Sequence, residues 1–548
     1  MAGLPCLRSA AYDHGPKSSG GRDMVYQGIR FVGAAALCIA VSMLLQPTAS
    51  AAPLACQSLA FADFSRVPDA PAQVTSAAEI RADGQLPAYC KVEGYIAPSV
   101  GFEFRIPQQI WNGKLLMQGC GGFCGTTAMI AQCDDAVARG YACVSTDLGH
   151  KSTPIDGKWA YNNPQGEIDF YYRATHATAQ AAKAILTTAM GRDIERSYFR
   201  GCSTGGRQGL ISAQRFPADF DGVIAAAPAG VSPGGGLHLI WSALANLDDN
   251  GDQILAASKI PALHAAVLGA CDSIDGLEDG LIDDPRVCAF DPMTLQCRGR
   301  DKDDCLTKAE VAVVSKVYQG AIDSSGTPLY RAVPMPGSEP NWVPAYIGVN
   351  AQPSIYYLFG GDFFRYVAFA EDPGPSWMPE DFDFDRDPSR MGYNRHLNNA
   401  ASPDLRAFVA RGGKVISYQG WSDQSVPPLG VIDYLSDVEN FMGGKESASE
   451  FYRLFMLPGV AHCVGGEGPS RVDALTALED WVENDEAPEQ LIAYKLKNDP
   501  GNFAAAHLPP ADEDVEMSRP LYPYPDVARY RDGDPNRWQS FRRASPEQ

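Results

Sequence analysis

Ser203 lies in Arg200-Gly-Cys-Ser-Thr-Gly-Gly-Arg207, which contains the pattern G-x-S-x-G. Small residues on both sides of a serine suit a sharp strand-to-helix turn that leaves the hydroxyl exposed. The N-terminus of the following helix offers free N–H groups to a developing oxyanion. A serine is a weak nucleophile at neutral pH. It needs a base to take its proton and a carboxylate to orient that base. Downstream of Ser203, Asp423 and His462 each sit just past an apolar run, in the chain order Ser, Asp, His. The other histidines fit less well. His150 and His176 precede the serine, His238, His264 and His396 fall in or beside an irregular middle segment, and His507 lies beyond the last clear element. Cys202 precedes the candidate nucleophile and Cys463 follows the candidate base. If Ser203 and His462 meet, these two neighbours come within reach of a disulfide.

The elements that must position these residues alternate. Strands are expected at Phe102-Glu-Phe-Arg-Ile, Lys114-Leu-Leu-Met-Gln118, Tyr141-Ala-Cys-Val-Ser-Thr146 and Asp221-Gly-Val-Ile-Ala-Ala-Ala227, with a long Ala-rich helix over 170–190. Strand signals resume at Gly413-Lys-Val-Ile-Ser-Tyr-Gln419 and Glu450-Phe-Tyr-Arg-Leu-Phe-Met-Leu457, followed by a helix over 471–484. This predicts an α/β fold, a mostly parallel sheet with helices on both faces. Between 230 and 398 the alternation stops. That stretch carries four cysteines, an acidic glycine loop and the aromatic run Tyr356, Tyr357, Phe359, Phe363, Phe364, Tyr366 and Phe369, and reads as an inserted lid domain. The expected organisation is a leader over 1–51, a first core part over 52–229, the lid over 230–398, and a second core part with a C-terminal tail over 399–548. The Pro-rich tail from Pro509 is expected to wrap the surface or fray. The glycine-rich turn Gly119-Cys-Gly-Gly-Phe-Cys-Gly125 follows a buried strand; in hydrolases such a turn supplies half of an oxyanion hole.

Of 548 residues, 45% are apolar, enough for a large core, and the net charge is −21. Nucleic acid and anionic membrane both require clustered Lys and Arg, so this balance argues against either as a partner. Residues 31–45 are apolar, follow Arg30 and lead to Thr48-Ala-Ser-Ala51, the layout of a secretory leader. The polar stretch 1–23 is unusual for a leader, and Met24 would make a normal start. A secreted or periplasmic protein is expected. Of the 14 cysteines, Cys6 and Cys38 fall in the leader, and the remaining twelve suit disulfides. Local spacing pairs Cys56 with Cys90, Cys271 with Cys288 and Cys297 with Cys305. It leaves the pairing of Cys120, Cys124, Cys133 and Cys143 open. The loop Cys271-Asp-Ser-Ile-Asp-Gly-Leu-Glu-Asp-Gly-Leu-Ile282 brings carboxylates close together, as a solvated acidic turn or a Ca²⁺ loop would.

Three stretches carry a resemblance: Gly-Cys-Ser-Thr-Gly-Gly at 201–206, Gly-Trp-Ser-Asp-Gln-Ser-Val-Pro-Pro at 420–428, and Pro-Gly-Val-Ala-His-Cys-Val-Gly-Gly at 458–466. Together they resemble the CS-D-HC pattern of the tannase/feruloyl esterase family, over about residues 56–497. The resemblance implies an α/β-hydrolase core with a large lid. It implies hydrolysis of aromatic-acid esters by Ser203, Asp423 and His462, and a Cys202–Cys463 bridge. The implied oxyanion donors are the backbone N–H groups of Thr204 and of Gly121 or Gly122. It also implies structural Ca²⁺ held by side chains of Asp272, Asp275 and Asp279 and carbonyls of Leu277 and Leu281. The substrate would be a small aromatic ester or a feruloylated oligosaccharide. Galloyl esters and mono-(2-hydroxyethyl) terephthalate remain as alternatives. The terephthalate enzymes carry Glu at the position of Thr204. A calcium-dependent binding protein on a hydrolase scaffold is the non-enzymatic alternative.

Overall fold

The computed structural model describes residues 53–231, 234, 236–398, 400–499 and 509–546. The leader, with Cys6, Met24 and Cys38, and His507 lie outside them. Among the described residues a nine-stranded sheet runs in the order β1-β2-β3-β5-β4-β6-β7-β8-β9. Its strands are β1 (Ala72–Ile80), β2 (Tyr89–Ile96), β3 (Val100–Ile106), β4 (Lys114–Gln118), β5 (Ala142–Thr146), β6 (Arg196–Cys202), β7 (Gly222–Ala226), β8 (Lys414–Gly420) and β9 (Tyr452–Leu457). From β5 to β9 every pairing is parallel; β1, β2 and β3 add on antiparallel. The parallel strands are buried on both faces, and successive side chains enter two different cores. Leu115, Met117, Phe199, Val223 and Val415 join one cluster, while Leu116, Tyr198, Ile224, Ile416 and Phe455 join the other. That is period-two alternation with apolar residues in both phases, as helices on both faces require.

The chain leaves β4 toward β5 on one side, then returns to place β6 on the other side of β4. Loops leaving the C-terminal ends of β4 and β6 therefore diverge, which opens a crevice between them. Helix α1 (Ala174–Met190) precedes β6, and α2 (Thr204–Arg215) follows it. Between β7 and β8 the chain makes a helical insertion containing α3 (Leu237–Ala245), α4 (Ile260–Cys271), α5 (Lys308–Gln319) and α6 (Ile355–Tyr366). It has its own apolar clusters, one around Leu263, Val314 and Trp342 and one around Ile240, Phe364 and Phe382. After β8 come α7 (Pro428–Met442), β9, β10 (Arg471–Val472), α8 (Ala474–Asn484) and β11 (Leu491–Leu496).

Several elements differ from the sequence reading. The extension over 56–90 supplies edge strand β1, which pairs with β2; β1 is Ala/Ser/Thr-rich and half-exposed, so its alternation is weak. The helix expected over 170–190 begins earlier, at Pro164–Ile168, where Asn163 caps it by accepting the Gly166 N–H at 3.1 Å, and widens over Asp169–Arg173 before α1. Arg471 and Val472 pair with β11 instead of starting a helix, because Asp473 caps α8 by accepting the Thr476 N–H at 3.0 Å. The C-terminal segment is not a frayed tail. It forms β12 (Val515–Leu521) on β11, and β13 (Val527–Tyr530) pairs with β14 (Phe541–Ala544). Its prolines flank these strands, and Pro520 alone falls within one.

Candidate active site

Ser203 lies between β6 and α2 with φ 62° and ψ −122°, a backbone conformation in which an L-residue is strained. The glycines around it make the turn possible. A Cβ on Gly201 would come within 2.6 Å of the Gly205 backbone, and one on Gly206 within 2.4 Å of the Ala226 carbonyl. Ser203 donates its N–H to the Ala226 carbonyl at 3.1 Å, and its own carbonyl accepts from Ala229 at 3.1 Å. The elbow is thus pinned to the end of β7.

Asp423 and His462 follow the neighbouring strands β8 and β9. His462 Nδ1 lies 3.0 Å and 2.9 Å from the two Asp423 oxygens. A carboxylate only accepts, so Nδ1 carries the proton and Nε2 is left as the basic nitrogen. Asp423 is fully buried and also accepts from the N–H groups of Ser425 at 2.7 Å and Val426 at 2.8 Å, and from Gln419 Nε2 at 3.0 Å. The Gln424 side chain holds the backbone N–H of His462 at 3.3 Å. The loop after β9 crosses the ends of β8 and β7 to reach β6, where Cys463 is bonded to Cys202 with a Cα separation of 5.9 Å. The other bridges are Cys56–Cys90, Cys271–Cys288 and Cys297–Cys305. The pairs left open by sequence are Cys120–Cys124 and Cys133–Cys143.

Ser203, Thr204, Gly122 and His462 line one cavity of about 420 Å³. Its walls are mainly apolar. Phe123 and Phe170 come from the core side and Tyr356, Phe359 and Phe363 from α6. Phe123 stacks on Phe359 with centroids 4.3 Å apart. Of the rest of the aromatic run, Phe364 and Phe369 belong to the insertion's own core, and Tyr366 packs against the main core. The Thr204 hydroxyl donates to the Gly122 carbonyl at 2.7 Å, joining α2 to the glycine turn. Among the described residues neither the Gly121 nor the Gly122 N–H has a protein acceptor, and the Thr204 N–H, at the helix start, has no intrahelical one. Gly122 lines the cavity; Gly121 does not.

Two residues that sequence reading passed over belong to this site. Gln419 steadies Asp423, and Arg207 lines the cavity as a buried cation. The signal for both was a polar side chain inside a run that must be buried. Arg207 donates to Asn398 Oδ1 at 2.8 Å and to the Phe170 carbonyl at 3.1 Å, and lies over the Phe170 ring at 4.4 Å. No carboxylate among the described residues pairs with it, and burial lowers its pKa to about 10. His176 and His264 are engaged elsewhere, with Asp219 and Glu339, each at 2.8 Å, whereas His238 lines the cavity.

The acidic loop packs against β12. Positive φ at Gly276 (93°) and Gly280 (80°) turns it, as expected. Asp272 accepts from the Gly280 N–H at 3.0 Å, Asp275 from Leu277 at 2.9 Å, and Asp279 from Leu281 at 3.1 Å and from Arg519. Among the described residues no three His, Cys, Asp or Glu side chains are gathered closely enough to hold a metal ion. The donor chemistry nonetheless suits a hard cation. Burial first, then repulsion among Asp275, Asp279 and Asp283, pushes the Asp275 and Asp283 carboxyls up, a strain that a cation among them would relieve.

A parallel sheet of this order, with a nucleophile elbow after β6 and an Asp–His pair after β8 and β9, defines an α/β-hydrolase. The family model described as tannase and feruloyl esterase matches residues 82–544. The chain is 35% identical over 546 residues to mono(2-hydroxyethyl) terephthalate hydrolase of Piscinibacter sakaiensis, covering 87% of each protein. It is 32% identical over 438 residues to probable feruloyl esterase B-2 of Aspergillus terreus, covering 75% of this chain and 80% of that one. The crystal structure of feruloyl esterase B from Aspergillus oryzae superposes with a TM-score of 0.75 at 26% identity, covering 89% of this chain and 100% of that one. The chain belongs to the tannase and feruloyl esterase family, and it is a carboxylic ester hydrolase. Six disulfides suit an oxidising compartment. No helix of the described residues is long and apolar enough to cross a membrane.

Proposed function

We propose that this protein is an exported serine esterase that hydrolyses esters of aromatic acids through Ser203, His462 and Asp423. The observation that carries this reading is His462, paired with the buried Asp423, lining one aromatic-walled cavity with the strained Ser203. Ser203 Oγ attacks the ester carbonyl carbon as His462 Nε2 takes its proton. The carbonyl oxygen becomes the oxyanion and accepts from the Thr204 N–H and the Gly122 N–H. Each such donor contributes roughly 2.7–4 kcal/mol in hydrolases. Asp423 holds the imidazolium that forms. The tetrahedral intermediate collapses, His462 returns the proton to the leaving alkoxide, and the alcohol departs. Water, deprotonated by the same nitrogen, then releases the acid from the acyl-enzyme. Ser203→Ala should lower p-nitrophenyl acetate turnover to background, and wild-type turnover in that variant would refute the assignment.

The acyl group we propose is feruloyl or a related cinnamoyl, from a plant-polysaccharide ester. Phe123, Phe170, Tyr356, Phe359 and Phe363 offer ring faces to it. A second reading, a monoester of an aromatic dicarboxylic acid such as mono-(2-hydroxyethyl) terephthalate, draws support from Arg207, whose buried guanidinium meets no carboxylate among the described residues. Turnover of methyl ferulate, methyl gallate and mono-(2-hydroxyethyl) terephthalate, compared as kcat/KM, separates these substrates. Structural Ca²⁺ in the acidic loop is proposed on Asp272, Asp275 and Asp279 side chains with Leu277 and Leu281 carbonyls. It would hold the loop together by neutralising its carboxylates. Chelation should lower Tm by several degrees, with Ca²⁺ restoring it; an unchanged Tm would count against the ion.

A further inference from the structure

The glycine turn after β4 is restrained by a histidine that the proposed chemistry does not use. We propose that His150 is a positioning residue for the oxyanion hole, fixing the direction of the Gly122 N–H through two consecutive backbone links. This inference rests on the reading of Ser203 as nucleophile and Gly122 as donor.

His150 is buried, and its Nε2 lies 2.8 Å from the Phe123 carbonyl oxygen. A carbonyl only accepts, so Nε2 must carry the proton. Nδ1 is buried, and the nearby Leu148 backbone gives it no well-aligned hydrogen bond. Burial also holds the ring pKa below its usual value, which favours the neutral tautomer. The ring is fixed in place by Trp159, stacked at 3.9 Å with an interplanar angle of 13°.

The mechanical link follows from peptide planarity. The Phe123 carbonyl shares a rigid plane with the Cys124 N–H. That N–H donates to the Gly121 carbonyl at 2.9 Å. The Gly121 carbonyl in turn shares its plane with the Gly122 N–H. Holding the Phe123 carbonyl thus sets the first plane, and the Cys124–Gly121 hydrogen bond passes that orientation to the second. The next plane is secured independently, by Thr204 on the Gly122 carbonyl at 2.7 Å and by the Phe123 N–H on Pro154 at 2.8 Å. Restraint is needed because Cys124 sits at φ 62°, a conformation a non-glycine residue leaves readily when released. A flipped peptide would turn a donor away from the oxyanion and present a carbonyl instead.

The test uses the full-length protein. His150→Phe keeps an aromatic ring against Trp159 and loses the donor, while His150→Gln keeps a side-chain N–H. For His150→Phe we expect kcat lowered about 100-fold with KM within about twofold. Inhibition by an arylboronic acid, whose serine adduct places an oxygen in the hole, should weaken by a similar factor. Affinity for the aromatic acid product should stay constant, and His150→Gln should recover most of the rate. Should His150→Phe fail to fold, His150→Met compared with His150→Gln provides the same contrast. A donor-lacking variant with wild-type kcat overturns the proposal. So does one that loses rate while keeping boronate affinity, or loses product affinity in parallel. If Ser203→Ala remains active the functional reading itself falls. If Ser203→Ala is inactive and His150→Phe is unimpaired, only the role of His150 falls.

Discussion

Asp423 and Glu167 are both buried carboxyls, yet they are surrounded in opposite ways. Four donors converge on Asp423: two backbone N–H groups, the Gln419 amide and His462 Nδ1. That is the environment a carboxylate anion needs in a low dielectric. Glu167 precedes α1 and meets Tyr393 and Asp372 of the insertion, and its Oε2 is buried without a partner among the described residues. Asp372 Oδ1 is likewise buried and unpartnered, although its other oxygen accepts the Asn162 N–H at 2.7 Å. Burial, reinforced by the Asp372 charge, raises Glu167 to about 8, against a weaker opposing contribution from Tyr393. Burial alone therefore does not decide which carboxyl can serve as an anion; the supply of donors does. One site can orient a histidine, and the other holds a proton at the seam between core and insertion.

The sharpest way to break this contrast is Asp423→Asn. It keeps the shape, removes the charge and admits the wrong imidazole tautomer, so kcat should fall about 10³- to 10⁴-fold. A rate within tenfold of wild type, in steady-state assays, would show that the Asp423 charge is not used. Gln419→Leu removes one of the four donors and should cost about 1.5–3 kcal/mol of stability, the worth of a hydrogen bond to a charged group. Urea unfolding measures it, and a loss below about 0.5 kcal/mol would mean the amide is dispensable.

The smallest effect is on pH dependence. With its folded-state pKa raised from 4.5 to about 8, Glu167 holds a proton in the folded state that the unfolded chain has released. Its contribution to stability is complete below about pH 4.5, declines as pH rises, and is lost once pH passes about 8. Glu167→Gln should therefore gain Tm relative to wild type between pH 5 and pH 9. A Tm difference that stays constant over that range would place Glu167 with the ordinary ionised carboxylates.

Much of the site was legible in sequence because its chemistry is local. Gly201 and Gly206 announce a turn at positions that leave no room for a Cβ, and Asp423 and His462 follow apolar strands in hydrolase order. The strands β4, β5, β7, β8 and β9 were legible because both faces are buried and their runs are mostly apolar. The edge strands β1 and β12 were not. β1 is half-exposed and lacks that run, and β12 is largely buried but broken by Ser518, Arg519 and Pro520, so the identity of each rests on its partner strand. Arg207 and Gln419 were missed as site residues for a related reason: a lone polar residue does not announce what it faces.

By itself, the sequence determined the class of fold and the order of the candidate serine, aspartate and histidine, since these depend on residue type and short-range pattern. Only the tertiary structure decided how the Cys120, Cys124, Cys133 and Cys143 pairs form, which aromatics of the run face the cavity, and that Arg207 lines it. Those outcomes depend on distances between segments up to hundreds of residues apart. Only packing of the sheet, its helices and the insertion sets such distances.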